Sequence, residues 1–93
     1  MRRYELTVIF PLEEDQHQAG REQLLADLAA NEAEIEKTDE VGDRDLAYEI
    51  KKRRRGRYVL FTLKLDPVKI TTLDRIFKLN NNLLKYLFVK IDE

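Results

Sequence analysis

Residues 51–57 read KKRRRGR, so Lys51, Lys52, Arg53, Arg54, Arg55 and Arg57 place six cations within seven positions. Side chains of this kind suit contacts to phosphate, lysine as a strongly hydrated point charge and arginine as a planar fork that grips two oxygens at once. A hairpin kept soluble by charge needs two or three such residues, and six exceed that need. Covalent chemistry has far less to draw on. His17 is the only histidine and falls in the first turn of a predicted helix, where a solvated position is expected. The chain has no cysteine and no second histidine to complete a metal site, and no serine for a nucleophilic triad. Its three glycines form no phosphate-cradling loop, and no cofactor is expected.

The charges that surround this stretch are segregated along the sequence. Residues 1–50 hold 14 acidic and 5 basic side chains, net −9, whereas residues 51–93 hold 4 acidic and 12 basic ones, net +8. The overall net charge of −1 hides that division. Counterion release acts where the cations are, so the basic half predicts a polyanionic partner. A charged fraction of 38% would suit a disordered chain, but 43% of the residues are hydrophobic and they recur with clear periods, which predicts a folded domain with a highly charged surface. Ninety-three residues suffice for one small domain, 1–93, and a second is not expected among them. The segment MRRYELTVIF at the start contains no long apolar run and no cleavage site, so neither a membrane nor an export route is expected.

The elements that must position the cations follow from periodicity. Residues 2–10 alternate, with Tyr4, Leu6, Val8 and Phe10 on one side and Arg3, Glu5, Thr7 and Ile9 on the other, the pattern of a half-buried strand ended by Pro11. Asp15 and Gln18 have the spacing of a capping box, and Leu24, Leu25, Leu28 and Ala29 then fall at helical spacing down to Asn31, with Gly20 inside the helix. Ala33 to Ile50 is strand-like at both ends, which predicts one long or bent strand with Gly42 at the bend. Arg53 to Gly56 is the expected hairpin tip. Arg57 to Leu65 returns as a strand, with Val59, Phe61, Leu63 and Leu65 on one face and Tyr58, Leu60, Thr62 and Lys64 on the other. Asp66 and Pro67 open a second helix with Ile70, Leu73, Ile76 and Phe77 as its buried stripe, Asn80 to Asn82 close it, and residues 83–91 form the last strand.

The order β α β β α β predicts an α+β, ferredoxin-like fold: a four-stranded antiparallel sheet with two helices on one face. Ile9, Tyr58, Leu60 and Phe88 are expected on the opposite face, and an apolar open face predicts a protein partner. The same order belongs to the RNA-recognition motif, whose third strand carries aromatic residues at the first and third places after a glycine. Here those places hold Arg57 and Val59, with Tyr58 displaced by one, and a one-residue slip sends each side chain to the other face. The first strand offers no aromatic residue to its open side either. The basic stretch therefore suits phosphate contacts that position a protein on folded RNA rather than base stacking.

At residues 42–51, GDRDLAYEIK, the chain resembles the signature of the bacterial small-subunit ribosomal protein six family through Gly42, Arg44, Asp45, Leu46, Ala47, Tyr48, Ile50 and Lys51. MRRYE at the start and LLKYLFVK at 83–90 are similar to the family's opening and closing strands, so the resemblance spans about the whole chain. It implies a ferredoxin-like structural protein of the ribosome that pairs with small-subunit ribosomal protein eighteen and, with it, binds the central domain of the small-subunit ribosomal RNA. Carried over by position, Arg2 and Arg3 match a basic N-terminal pair that faces RNA, Lys52 falls on a basic hairpin position, and Tyr58 occupies a typically aromatic place on the partner surface. The tip RRRGR is more basic than the family's usual tip, so RNA contacts by Arg53, Arg54 and Arg55 are expected from charge alone. The longer C-terminal tail of many members has no counterpart, and contacts made by that tail are expected to be absent or replaced. Tyr58, Leu60 and Phe88 are the expected protein contacts, and the acidic first half is left for solvent or a basic neighbour such as protein eighteen. Neither a small-molecule substrate nor a membrane is expected. Two other uses of this fold class are an acylphosphatase-type enzyme, for which arginine and asparagine would have to meet on a rigid first loop, and an oligomerising regulatory domain; fold alone transfers neither.

Overall fold

The computed structural model describes residues 1–91; Asp92 and Glu93, part of the expected 1–93 domain, lie outside the described residues. The elements are β1 (Arg2–Phe10), α1 (Glu14–Ala30), β2 (Glu34–Ile50), β3 (Arg53–Leu65), α2 (Lys69–Lys78) and β4 (Lys85–Lys90). The sheet is antiparallel in the order β2-β3-β1-β4, the ferredoxin-like topology predicted by the element order. Strand alternation sends Leu6, Val8 and Phe10 of β1 and Val59, Phe61, Leu63 and Leu65 of β3 to one side. There they meet Leu24 and Leu28 of α1 and Leu73 and Phe77 of α2 in one core cluster. Leu63 and Leu73 are completely buried, and each such side chain contributes roughly 1.5–3 kcal/mol by leaving water.

α1 tolerates its internal glycine for a packing reason. A Cβ on Gly20 would stand 2.4 Å from the backbone oxygen of Asn82, so only glycine lets the helix approach the turn after α2 this closely. The amide of Asn80 closes the contact by donating to the Gly20 carbonyl at 3.2 Å. In that turn the Asn82 N–H donates to Asn80 Oδ1, so Asn80 to Asn82 end α2 as expected.

Local details differ from the sequence expectation at several places. The hairpin tip is Lys51–Lys52 rather than Arg53 to Gly56: Ile50 pairs with Arg53, and the two lysines between them have φ of 48° and 66°. This is the two-residue turn whose twist suits a hairpin, and lysines occupy the places where asparagine and glycine would have announced it. The arginines therefore belong to β3. β2 shifts register at Glu36, at Val41 next to Gly42, and between Asp45 and Ile50, so its bend at Gly42 is one of three irregularities. The capping box of Asp15 and Gln18 is not formed, because α1 begins at Glu14 and its cap position is Glu13, which makes no side-chain capping bond. α2 starts at Lys69, after a tight turn in which Asp66 Oδ1 accepts from the Val68 N–H at 3.1 Å.

Phe88 is the main correction of facing. It pairs with Leu6 across the β1–β4 ladder and so shares the helix-covered side, where its ring lies 6.0 Å from that of Phe77 in a stacked arrangement. Leu87 and Val89 occupy the open side instead, 55% and 46% exposed. Four apolar residues in a row leave the phase of β4 undecided by pattern, and the aromatic contacts with α2 decide it.

Candidate nucleic-acid and protein interface

The open side of the sheet is read directly from the register. Ile9 pairs with Tyr58 and Thr7 with Leu60, while Leu87 and Val89 flank Thr7 and Glu5 from β4. Tyr58 and Leu60 therefore lie on the open face, as expected, and both are half-buried. Ile9 lies there too but is 6% exposed. Gly56 makes this burial possible, since a Cβ at that position would meet Ile9 Cγ2 at 2.4 Å. Near the tip of the arm formed by β2 and β3, the hydroxyl of Tyr48 accepts from Lys85 Nζ of β4 at 3.0 Å, and that bond raises the lysine pKa. The open face thus carries a mixed apolar strip, from Val89 and Leu87 through Leu60 to Tyr58.

The six clustered cations are divided by strand alternation. Arg53, Arg55 and Arg57 point to the helix side of the arm. Arg53 donates to both carboxylate oxygens of Glu13, at 2.6 and 3.3 Å, and to Gln16 Oε1 at 2.7 Å. Arg57 donates from Nε to Asp43 at 2.9 Å and from Nη1 to Glu14 at 3.3 Å and His17 Nδ1 at 2.9 Å. These bonds hold the carboxyls of Glu13 and Asp43 below their ordinary range and the guanidinium pKa values of Arg53 and Arg57 above theirs. Arg55 donates to Asp45 at 3.1 Å, and Lys51 Nζ to the Leu83 carbonyl at 2.9 Å. Arg54 points the other way. Its side chain is 88% exposed with a single loose pairing to Glu49 at 3.9 Å, and Lys52 at the tip makes no ion pair among the described residues.

The charge asymmetry of the sequence is therefore partly resolved inside the molecule. Glu13, Glu14, Asp43, Asp45 and Glu49 of the acidic half face arginines of the basic half, and Arg21 forms a two-pronged pair with Glu40 at 2.7 Å for each bond. Arg2 and Arg3 are not brought to the arm. They pair with Leu65 and Lys64 at the far end of β3, and the longest dimension of the molecule is 36 Å. Arg3 also donates to Glu36 at 2.9 Å.

His17 corrects the expectation of a solvated histidine. It is 8% exposed, its ring lies 5.0 Å from that of Phe10, and its Nε2 is buried without a partner among the described residues. Burial, followed by the nearby Arg57 and Arg21 charges, lowers its pKa. The signal was present in the sequence, because His17 falls on the same helical stripe as Gly20, Leu24 and Leu28.

These features define a ferredoxin-like α+β domain that presents its chemistry on surfaces, an open sheet face and a charged arm, with no metal-binding group of histidine, cysteine or carboxylates among the described residues. A family model described as ribosomal protein S6 matches residues 3–90, and the chain belongs to that family. It is 48% identical over 93 residues to the small ribosomal subunit protein bS6 of Treponema denticola, covering all of both chains. To the bS6 protein of Halalkalibacterium halodurans it is 41% identical over 95 residues, again covering all of both. The crystal structure of 30S ribosomal protein S6 from Thermotoga maritima superposes with a TM-score of 0.84 at 22% identity, over 97% of this chain and 87% of that one. The C-terminal domain of the MgtC protein from Mycobacterium tuberculosis gives 0.63 at 10% identity, over 100% and 90%, which shows the shared fold alone. The chain is accordingly a structural protein of the small ribosomal subunit and not an enzyme, which sets aside the acylphosphatase reading, and its place is on the ribosome in the cytoplasm.

Proposed function

We propose that this small-subunit protein pairs with small-subunit ribosomal protein eighteen and that the pair binds the central domain of the ribosomal RNA as the subunit assembles. The observation that carries this reading is the conjunction, on one small domain, of an open sheet face lined by Leu60, Leu87, Val89 and Tyr58 with an arm that projects Lys52 and Arg54. An apolar strip of this kind gains by being covered, and protruding cations gain by neutralising phosphate. Tyr58 and Leu60 are the proposed partner contacts, with Leu87 and Val89 in the role first expected of Phe88. Lys52 and Arg54 at the tip and Arg2 and Arg3 at the opposite end are the proposed phosphate contacts. Arg53 and Arg55 share the arm but direct their guanidinium groups to carboxylates of this chain.

The test of the partner face is Tyr58→Glu. A charge placed in an apolar contact must be desolvated without compensation, so association with protein eighteen, measured by titration calorimetry, should weaken by at least tenfold while the fold persists. Unchanged association would mean that the partner uses another face.

A further inference from the structure

The basic arm contains two kinds of arginine, and we propose that Arg53 and Arg57 are positioning residues that brace the arm against α1, leaving Lys52 and Arg54 to touch phosphate. This rests on the RNA-binding reading above and assigns the roles within it. Three observations support the division. First, alternation along β3 puts Arg53 and Arg57 on the side of α1 and Arg54 on the open side, together with Arg44, which pairs with Gly56 and makes no ion pair among the described residues. Second, the two inward arginines are held by several fixed bonds. Arg53 meets Glu13 through two of its nitrogens and Gln16 besides, while Arg57 joins Asp43 of β2 to Glu14 and His17 of α1. Their side chains are 28% and 27% exposed, against 88% for Arg54. Third, the bonds from Arg53 to Glu13 and Gln16 and from Arg57 to Glu14 and His17 cross between elements that the sheet does not join. The only described backbone pairing of the distal arm beyond Arg57 is between β2 and β3, and its register is broken between Asp45 and Ile50. The links to Glu13, Glu14 and Gln16 tie that irregular hairpin to the start of α1. A planar guanidinium held at two or more points fixes direction in a way that a single lysine contact does not.

Salt titration separates the roles, because removing one phosphate-binding cation should take about 0.7–0.9 off the slope of log affinity against log salt. Binding of central-domain RNA would be measured in the presence of protein eighteen. Lys52→Gln and Arg54→Gln should each flatten the slope by that amount. Arg53→Gln should weaken binding at a given salt concentration and leave the slope unchanged. The exchanged pair Arg53→Glu with Glu13→Arg, which keeps the net charge and the brace, should return both affinity and slope to wild-type values. In the free protein, hydrogen exchange of the arm amides should be faster in Arg53→Gln than in wild type and unaltered in Arg54→Gln. If Arg53→Gln flattens the slope as Arg54→Gln does and the exchanged pair stays weak, Arg53 touches phosphate and the division of roles is overturned while RNA binding stands. If wild type does not bind the RNA at all, the functional reading fails, and arm exchange in the free protein decides the brace alone: unaltered exchange in Arg53→Gln overturns it.

Discussion

His17 shows how a single side chain reports on the arm. Its Nδ1 accepts from Arg57 Nη1, its other nitrogen is buried without a partner among the described residues, and its lowered pKa means that folding favours the neutral ring. The unfolded chain therefore binds a proton that the folded one refuses once the pH falls below the ordinary histidine value of about 6.5. Stability present at neutral pH is lost as the pH falls through that value and stops falling below the depressed folded pKa. Chemical denaturation at pH 7.5 and 5.5 should show this loss in wild type, and His17→Gln, which keeps an acceptor for Arg57, should remove most of it. An equal loss in the variant would assign the effect to other groups. Leu63 tests the facing of β3 at the same scale: it is completely buried among core residues, so Leu63→Ala should cost about 2–5 kcal/mol by denaturant unfolding. A cost near zero would contradict the register that also puts Tyr58 and Leu60 on the open side.

The elements were largely legible in the sequence, and their ends were not. Alternation in β1 and β3 and the leucine stripe of α1 specify which side is covered, because one face of each is continuously apolar and the other is mixed. The end of α1 illustrates what stays hidden. Glu32 has φ of 62°, with its N–H donating to the Ala29 carbonyl and the Ala33 N–H to that of Leu28, a helix ending that glycine usually supplies. A glutamate there gives no stop signal and carries left-handed strain, so Glu32→Gly should raise stability by about 1 kcal/mol, read as a higher melting temperature. Unchanged or reduced stability would contradict this ending. The two lysines of the β2–β3 turn are silent for the same reason, and β4 is ambiguous because its centre is apolar on both sides. The arm's cations were visible as a group, but their division was not, since it depends on the true position of the tip: moving the turn from residues 53–56 to residues 51 and 52 places the arginines in a strand and sends alternate ones to opposite sides.

At the scale of the whole molecule, the segregation of charge along the sequence becomes internal pairing between an acidic β2 and α1 and a basic β3, with further cations at its two ends. Arg2 and Arg3 lie at one end and Lys52 and Arg54 at the other, on a body whose longest dimension is 36 Å. Between them lies the open sheet face with Leu87 and Val89 exposed. On the proposed function, a component shaped in this way would use separate surfaces for a protein and for RNA, and its RNA affinity should depend on the protein that covers the sheet. The most direct measurement is a salt-titrated binding assay on small-subunit central-domain RNA, with this protein alone and then with small-subunit ribosomal protein eighteen. Binding that appears only with both proteins and falls with salt at a log–log slope of roughly −3 or steeper is the expected result. Absence of binding with both proteins present, or binding indifferent to salt, would contradict it.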